Sequence, residues 1–164
     1  MRKGFTLVEI LIVIIVMSIL GAMMTYSSSE AISSNKAAEI VVKLRNLKIA
    51  AMQMYVDYLD EWESTSPTKT FGIALAKTYL NDDSSYDSKY DLVTADADSG
   101  TYAEKRWYAK CDFSTMKDAD NIAIKLEKRA ETDDLLSNAT RENNGKYTET
   151  KFTSGYKIVL LRIR

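Results

Sequence analysis

No histidine occurs in these 164 residues. Its absence removes Ser-His-Asp and Cys-His nucleophile pairs, and with them the commonest zinc ligand. Cysteine is nearly absent too. Cys111 stands alone, so no disulfide can form within the chain, and it reads as a small buried apolar group, with pairing to a second chain as the alternative. Pro67 is the one proline, which leaves a long stretch before it free to stay helical. A surplus of charge is also missing: 22 basic residues face 23 acidic ones, for a net charge of -1. No global field then favours an anionic membrane surface, and nucleic acid is not indicated as a partner. These absences argue against an enzyme and offer no cofactor a ready set of ligands.

What the chain does have is a long apolar run, from Met1 to Met24, broken by a single carboxylate, Glu9. About twenty such residues, rising about 1.5 Å each as a helix, span a bilayer core of roughly 30 Å. A charge inside a membrane segment costs at least ~2.5 kcal/mol, so Glu9 is expected to have a partner and a task. Arg2 and Lys3 precede the run, and residues 26–34 after it carry only Glu30 as a charged group. The positive-inside rule therefore puts the N-terminus in the cytoplasm and the bulk of the chain outside. A cleaved secretory signal would use Leu20-Gly21-Ala22, but Leu20 is not small and Glu9 interrupts the central region. An uncleaved anchor fits the length and leaves Glu9 with nothing to do.

Lys3-Gly4-Phe5-Thr6-Leu7-Val8-Glu9 followed by an apolar helix resembles the class III signal of type IV pilins and pseudopilins. The resemblance rests on the glycine, the aromatic residue after it and the carboxylate four residues further on, and it covers only the leader and the apolar helix. It implies cleavage after Gly4 by a prepilin peptidase, N-methylation of Phe5 and a pilin-like fold. The chain would then divide into a leader over residues 1–4, a transmembrane and filament-core helix over 5–29, and the outer half of that helix plus a head over 30–164. It further implies a homo-oligomeric helical filament and a pilus assembly machinery as partners. The subunit would sit in the inner membrane before assembly, and in an extracellular or periplasmic filament afterwards. In the family pattern Glu9 pairs with Phe5 of a neighbouring subunit, which makes Glu9 an assembly residue. The physics agrees: a new terminal amine has a pKa of roughly 8, Glu9 lies on its helix face, and in an apolar surround each charge needs the other. Many family members carry a proline where Tyr26 stands here. Without it, Gly21, Thr25 and the serines at 27–29 are the only local helix disruptors. Unwinding there and an unbroken helix both remain open.

From Ala37 to Trp62, Ile40, Leu44, Leu47, Ala51, Met54 and Tyr58 recur at spacings of four and three, a helical seam for a head to pack on. Glu39 and Lys43 form an i,i+4 pair, and Pro67 closes the helix. Phe5 to about Glu63 is thus expected as one helix, too long for any small domain to bury. Lipid or other subunits must cover its first half. The head should hold a short helix over residues 70–80, an Asp- and Ser-rich loop over 81–100 and a short strand at 90–94. Asp96 and Asp98 hint at calcium, but Gly100 and Trp107 stand where a calcium hand needs ligands, which favours a solvated loop. Residues 102–113 alternate as a half-buried strand with Trp107, Ala109, Cys111 and Phe113 inward and Tyr108, Lys110 and Asp112 outward. Ser114 or Thr115 should cap a helix running to about Glu131, with Lys125 among its outward residues. Asn144-Gly145 and Ser154-Gly155 mark turns and predict a terminal hairpin, whose last strand, apolar on both faces, belongs in the centre of a sheet. The expected class is α+β: a long N-terminal helix whose outer half packs on a small antiparallel or mixed sheet.

The function these features suggest is a structural subunit of a type IV pilus-like filament. A minor pilin or type II secretion pseudopilin is the near alternative, and a membrane-anchored extracytoplasmic enzyme or binding protein the distant one.

Overall fold

The computed structural model describes residues 6–63, 70–80, 85–95, 105–141 and 147–163. Pro67, the Asn144-Gly145 turn and the Asp96 and Asp98 pair lie outside them.

Helix α1 runs from Leu7 to Asp57 without a break, about 75 Å at 1.5 Å per residue. It passes through the suspected soft spot at Gly21 to Ser29 as helix. Serines inside it are accommodated by bonding back one turn: Ser18 Oγ donates to the Ile14 carbonyl at 2.8 Å, and Ser28 Oγ to that of Met24 at 2.9 Å. The expected continuation to Glu63 is interrupted at Tyr58, after which a short helix, α2 (Leu59–Glu63), resumes. The last turn of α1 holds no basic residue, and Asp57, Asp60 and Glu61 crowd its negative end, which weakens a straight continuation. The break also lets Trp62 turn into the head, where its ring lies 4.9 Å from Phe71 and 5.0 Å from Trp107.

The predicted seam is the inner face of α1. Ile40, Leu44, Leu47, Ala51 and Met54 are buried, and Tyr58 is half-buried beside them. The Glu39–Lys43 pair forms at 2.7 Å. Beyond α2, the helix expected over residues 70–80 is shorter: α3 (Ile73–Ala76) and one 3-10 turn (Lys77–Tyr79).

Among the described residues five strands form one antiparallel sheet in the order β1-β2-β5-β3-β4. They are β1 (Tyr90–Thr94), β2 (Trp107–Asp112), β3 (Leu135–Arg141), β4 (Tyr147–Lys151) and β5 (Ile158–Arg162). The expected terminal hairpin is wrong. Strand β4 pairs with β3, a strand the sequence reading missed, while β5 pairs with β2 and β3. The reason is polarity. Val159, Leu160 and Leu161 in succession need neighbours on both edges and cover on both faces, whereas Thr148, Glu149, Thr150 and Lys151 tolerate an edge.

Trp107, Ala109, Cys111 and Phe113 face α1 and the main core, as expected. Tyr108, assigned outward, is instead fully buried in a second small cluster with Leu136 and Leu160, and its hydroxyl donates to Glu149 Oε1 at 2.7 Å. Helix α4 (Ala119–Arg129) starts later than predicted and has no Ser or Thr cap. Asp112 accepts from the Ser114 N–H at 3.0 Å and closes a turn there, and Asp118, at φ 63°, leads into the helix. Ile122, Ala123 and Leu126 are its buried face. Lys125, expected in solvent, reaches Glu30 of α1 at 2.5 Å and ties α4 to the point where α1 leaves the head.

Cys111 is fully buried, and burial pushes its thiol up to about 12 against the lowering effect of the Tyr90 hydroxyl. Alkylation of the folded protein at pH 8 should therefore be at least ~100-fold slower than of the guanidinium-unfolded chain, because the thiolate is the reactive form. Equal rates by mass spectrometry would contradict this packing.

Candidate assembly site

The site is the N-terminal half of α1. Thr6 occupies the N-cap with extended backbone, φ -76° and ψ 150°, and its Oγ1 accepts from the Glu9 N–H at 3.3 Å. Glu9 Oε2 in return accepts from the Thr6 N–H at 2.8 Å and from the Thr6 hydroxyl at 2.9 Å. Two orphan donors of the first turn are thereby satisfied reciprocally, a capping box. Its sequence signal is Thr-x-x-Glu ahead of an apolar run, which the charge of Glu9 overshadows. Placed here, the carboxylate also meets the positive end of the helix dipole. Oε1 takes no hydrogen bond among the described residues, which leaves that oxygen available to a further donor. Gly4 and Phe5 lie outside the described residues.

Around Glu9 the helix is apolar and uncovered. Leu7, Val8, Leu11, Ile12, Ile15, Met23 and their neighbours are exposed, Leu7 to 80% and Met24 to 75%. Among the described residues the head approaches this run at its end, where Met24 lines a groove with Lys117 and Asp118. Hydrophobic surface on this scale is not left in water by a soluble monomer. Among the described residues α1 is the helix long and apolar enough to cross a membrane.

A second apolar face, missed from the sequence, continues along the head half. Val42, Ile49 and Val56 repeat every seven residues, as do Met52 and Leu59, and all five are exposed, Val56 to 71%. Seven-residue spacing is the signature of helix-to-helix packing. Among the described residues the head buries the opposite side of α1 and leaves these side chains exposed, Val42 and Ile49 at a groove shared with Tyr79, Leu80 and Tyr86. The period was legible, but the inner seam overlapped it in the sequence and absorbed the apolar count.

No group of three or more His, Cys, Asp or Glu gathers among the described residues. The weak calcium candidates, Asp96 and Asp98, are not part of the described structure.

A membrane-length apolar helix, opened by the Thr6–Glu9 capping box and packed at its far end against an α+β head, fits a membrane-anchored single-pass protein. Residues 1–25 match the model of the prokaryotic N-terminal methylation motif. That motif is the class III signal peptide of type IV pilins and pseudopilins, and with the architecture it indicates a pilin-like or pseudopilin protein. No curated protein and no solved structure matches the chain.

Proposed function

We propose that this chain is a structural subunit of a type IV pilus-like filament, cleaved after Gly4, N-methylated at Phe5 and polymerised through α1. The observation that carries the reading is the division of α1. Its outer half is sheathed by its own head, and its apolar half is bare from Leu7 to Met24. Before assembly lipid covers that half, with the N-terminus inside and the head outside the membrane. After assembly other copies cover it, and Glu9 meets the terminal amine of a neighbour's Phe5. Pairing two buried charges in this way sets axial register between subunits, a use of buried charge attested more for specificity than for stability. The role is structural rather than catalytic, as the motif's family is. A minor pilin or a secretion pseudopilin would use the same helix, and differs in abundance and filament length.

Electron microscopy of sheared surface material, with mass spectrometry of its main component, tests this. The expected result is thin filaments made chiefly of this chain, beginning at methylated Phe5. An intact Met1 terminus in assembled material would overturn the processing step, and trace abundance would favour the minor-subunit alternative.

A further inference from the structure

Where the head half of α1 meets the turn after α4 and strands β3, β4 and β5 lies a cavity of about 480 Å³. Arg45 and Lys48 enter it from α1, Lys151 from β4 and Arg162 from β5, with Leu136 and Leu161 as apolar wall. Its size falls in the roughly 300–1,000 Å³ range of small-molecule sites.

The carboxylates here are already occupied. Asp133, buried in the turn after α4, accepts from Arg45 Nη2 at 2.7 Å and from Arg129 Nε at 3.1 Å. Glu149 accepts from Tyr108 at 2.7 Å, Arg106 at 3.2 Å and Arg162 at 3.1 Å. Burial works to raise the Glu149 carboxyl, but the hydrogen bonds from Tyr108 and Arg106 outweigh it and hold the group below the usual glutamate range. It stays ionised and bonded. Two guanidinium groups on each carboxylate leave one positive charge in surplus at each cluster.

Donors are left over as well. Arg45 and Arg162 each commit a single terminal nitrogen, and half-buried Lys48 takes no partner among the described residues. Lys151 has only a long, solvent-open pair with Glu131 at 3.6 Å. Asp134 is the one lining carboxylate without a guanidinium partner among the described residues, and the lining as a whole sets Arg45, Lys48, Lys151 and Arg162 against Asp133, Asp134 and Glu149. In a chain whose net charge is -1, this is a local excess of cations with unspent donors. Guanidinium forks and an ammonium around an apolar wall suit an acceptor-only head group on a compact body.

We infer that this cavity binds a small organic anion bearing a carboxylate or phosphate group. The inference does not depend on filament assembly. Full-length protein in detergent micelles is titrated calorimetrically with glucuronate, with inorganic phosphate and with glucose as the neutral control, at constant ionic strength. Saturable binding of at least one anion and none of glucose is expected. Lys48→Glu should weaken it at least ~tenfold, since it turns a charge-assisted donor into a repelling group. Lys48→Arg should stay near wild type, and Lys117→Glu, remote from the cavity, should change nothing. Near-ultraviolet circular dichroism verifies that each variant is folded. Failure of both anions to bind, binding of glucose as tight as that of glucuronate, or unchanged affinity in folded Lys48→Glu overturns the inference.

Discussion

Glu9→Gln is expected to insert and be trimmed like the parent chain but to assemble filaments poorly. Glutamine serves in a capping box as glutamate does, so the Thr6 bonds that start α1 survive the change. What is lost is the charge that would face a neighbour's terminal amine. A buried ion left without its partner costs about 3–5 kcal/mol, which is a factor on the order of 10²–10⁴ in subunit association. The opposite control is Thr6→Ala, which keeps the charge and removes the cap at a cost of about 1 kcal/mol. Filament mass per cell, by quantitative blotting of sheared material, separates the two. If Glu9→Gln assembles normally while Thr6→Ala does not, Glu9 acts as a cap for its own helix and the intersubunit pairing is wrong.

The second large effect distinguishes the two faces of α1. Leu44 is fully buried in the main core, and its replacement by alanine should destabilise the head by about 2–5 kcal/mol through lost burial and the cavity left behind. Val42, two residues earlier, is exposed, and Val42→Ala should change stability by no more than ~0.5 kcal/mol. If this face packs on a neighbouring copy as proposed, burying two methyl groups fewer should weaken each contact by about 1–2 kcal/mol. Urea titration in detergent, followed by the near-ultraviolet signal of the Trp62 and Trp107 cluster, measures the first, and filament yield measures the second. Loss of head stability in Val42→Ala would place that residue in the core and remove the bare face from the assembly surface.

The methylation motif, the helix and its inner seam could be read in advance because each is a local pattern. Gly4, Phe5 and Glu9 sit within a few residues of one another, and Ile40 to Met54 repeat at the helical period. The central place of β5 was legible for a similar reason, since Val159, Leu160 and Leu161 in a row leave no face for water. Strand β3 was not legible, because Ser137, Asn138, Thr140 and Arg141 dilute its apolar positions. Nor was the start of α4, where the Asp112 turn competed with a plausible serine cap and won.

By itself the sequence determined that this chain carries a charged, membrane-length apolar helix continuing into a head, since length, period and isolated charge are properties of consecutive residues. Only the tertiary structure decided that β4 pairs with β3 rather than β5, and that Tyr108 is buried. It also decided that Lys125 holds Glu30, and that Asp133 gathers arginines from α1 and α4. Those outcomes depend on which of several similar strands and charges, far apart in the chain, can bury the most apolar surface together. That competition is settled in three dimensions.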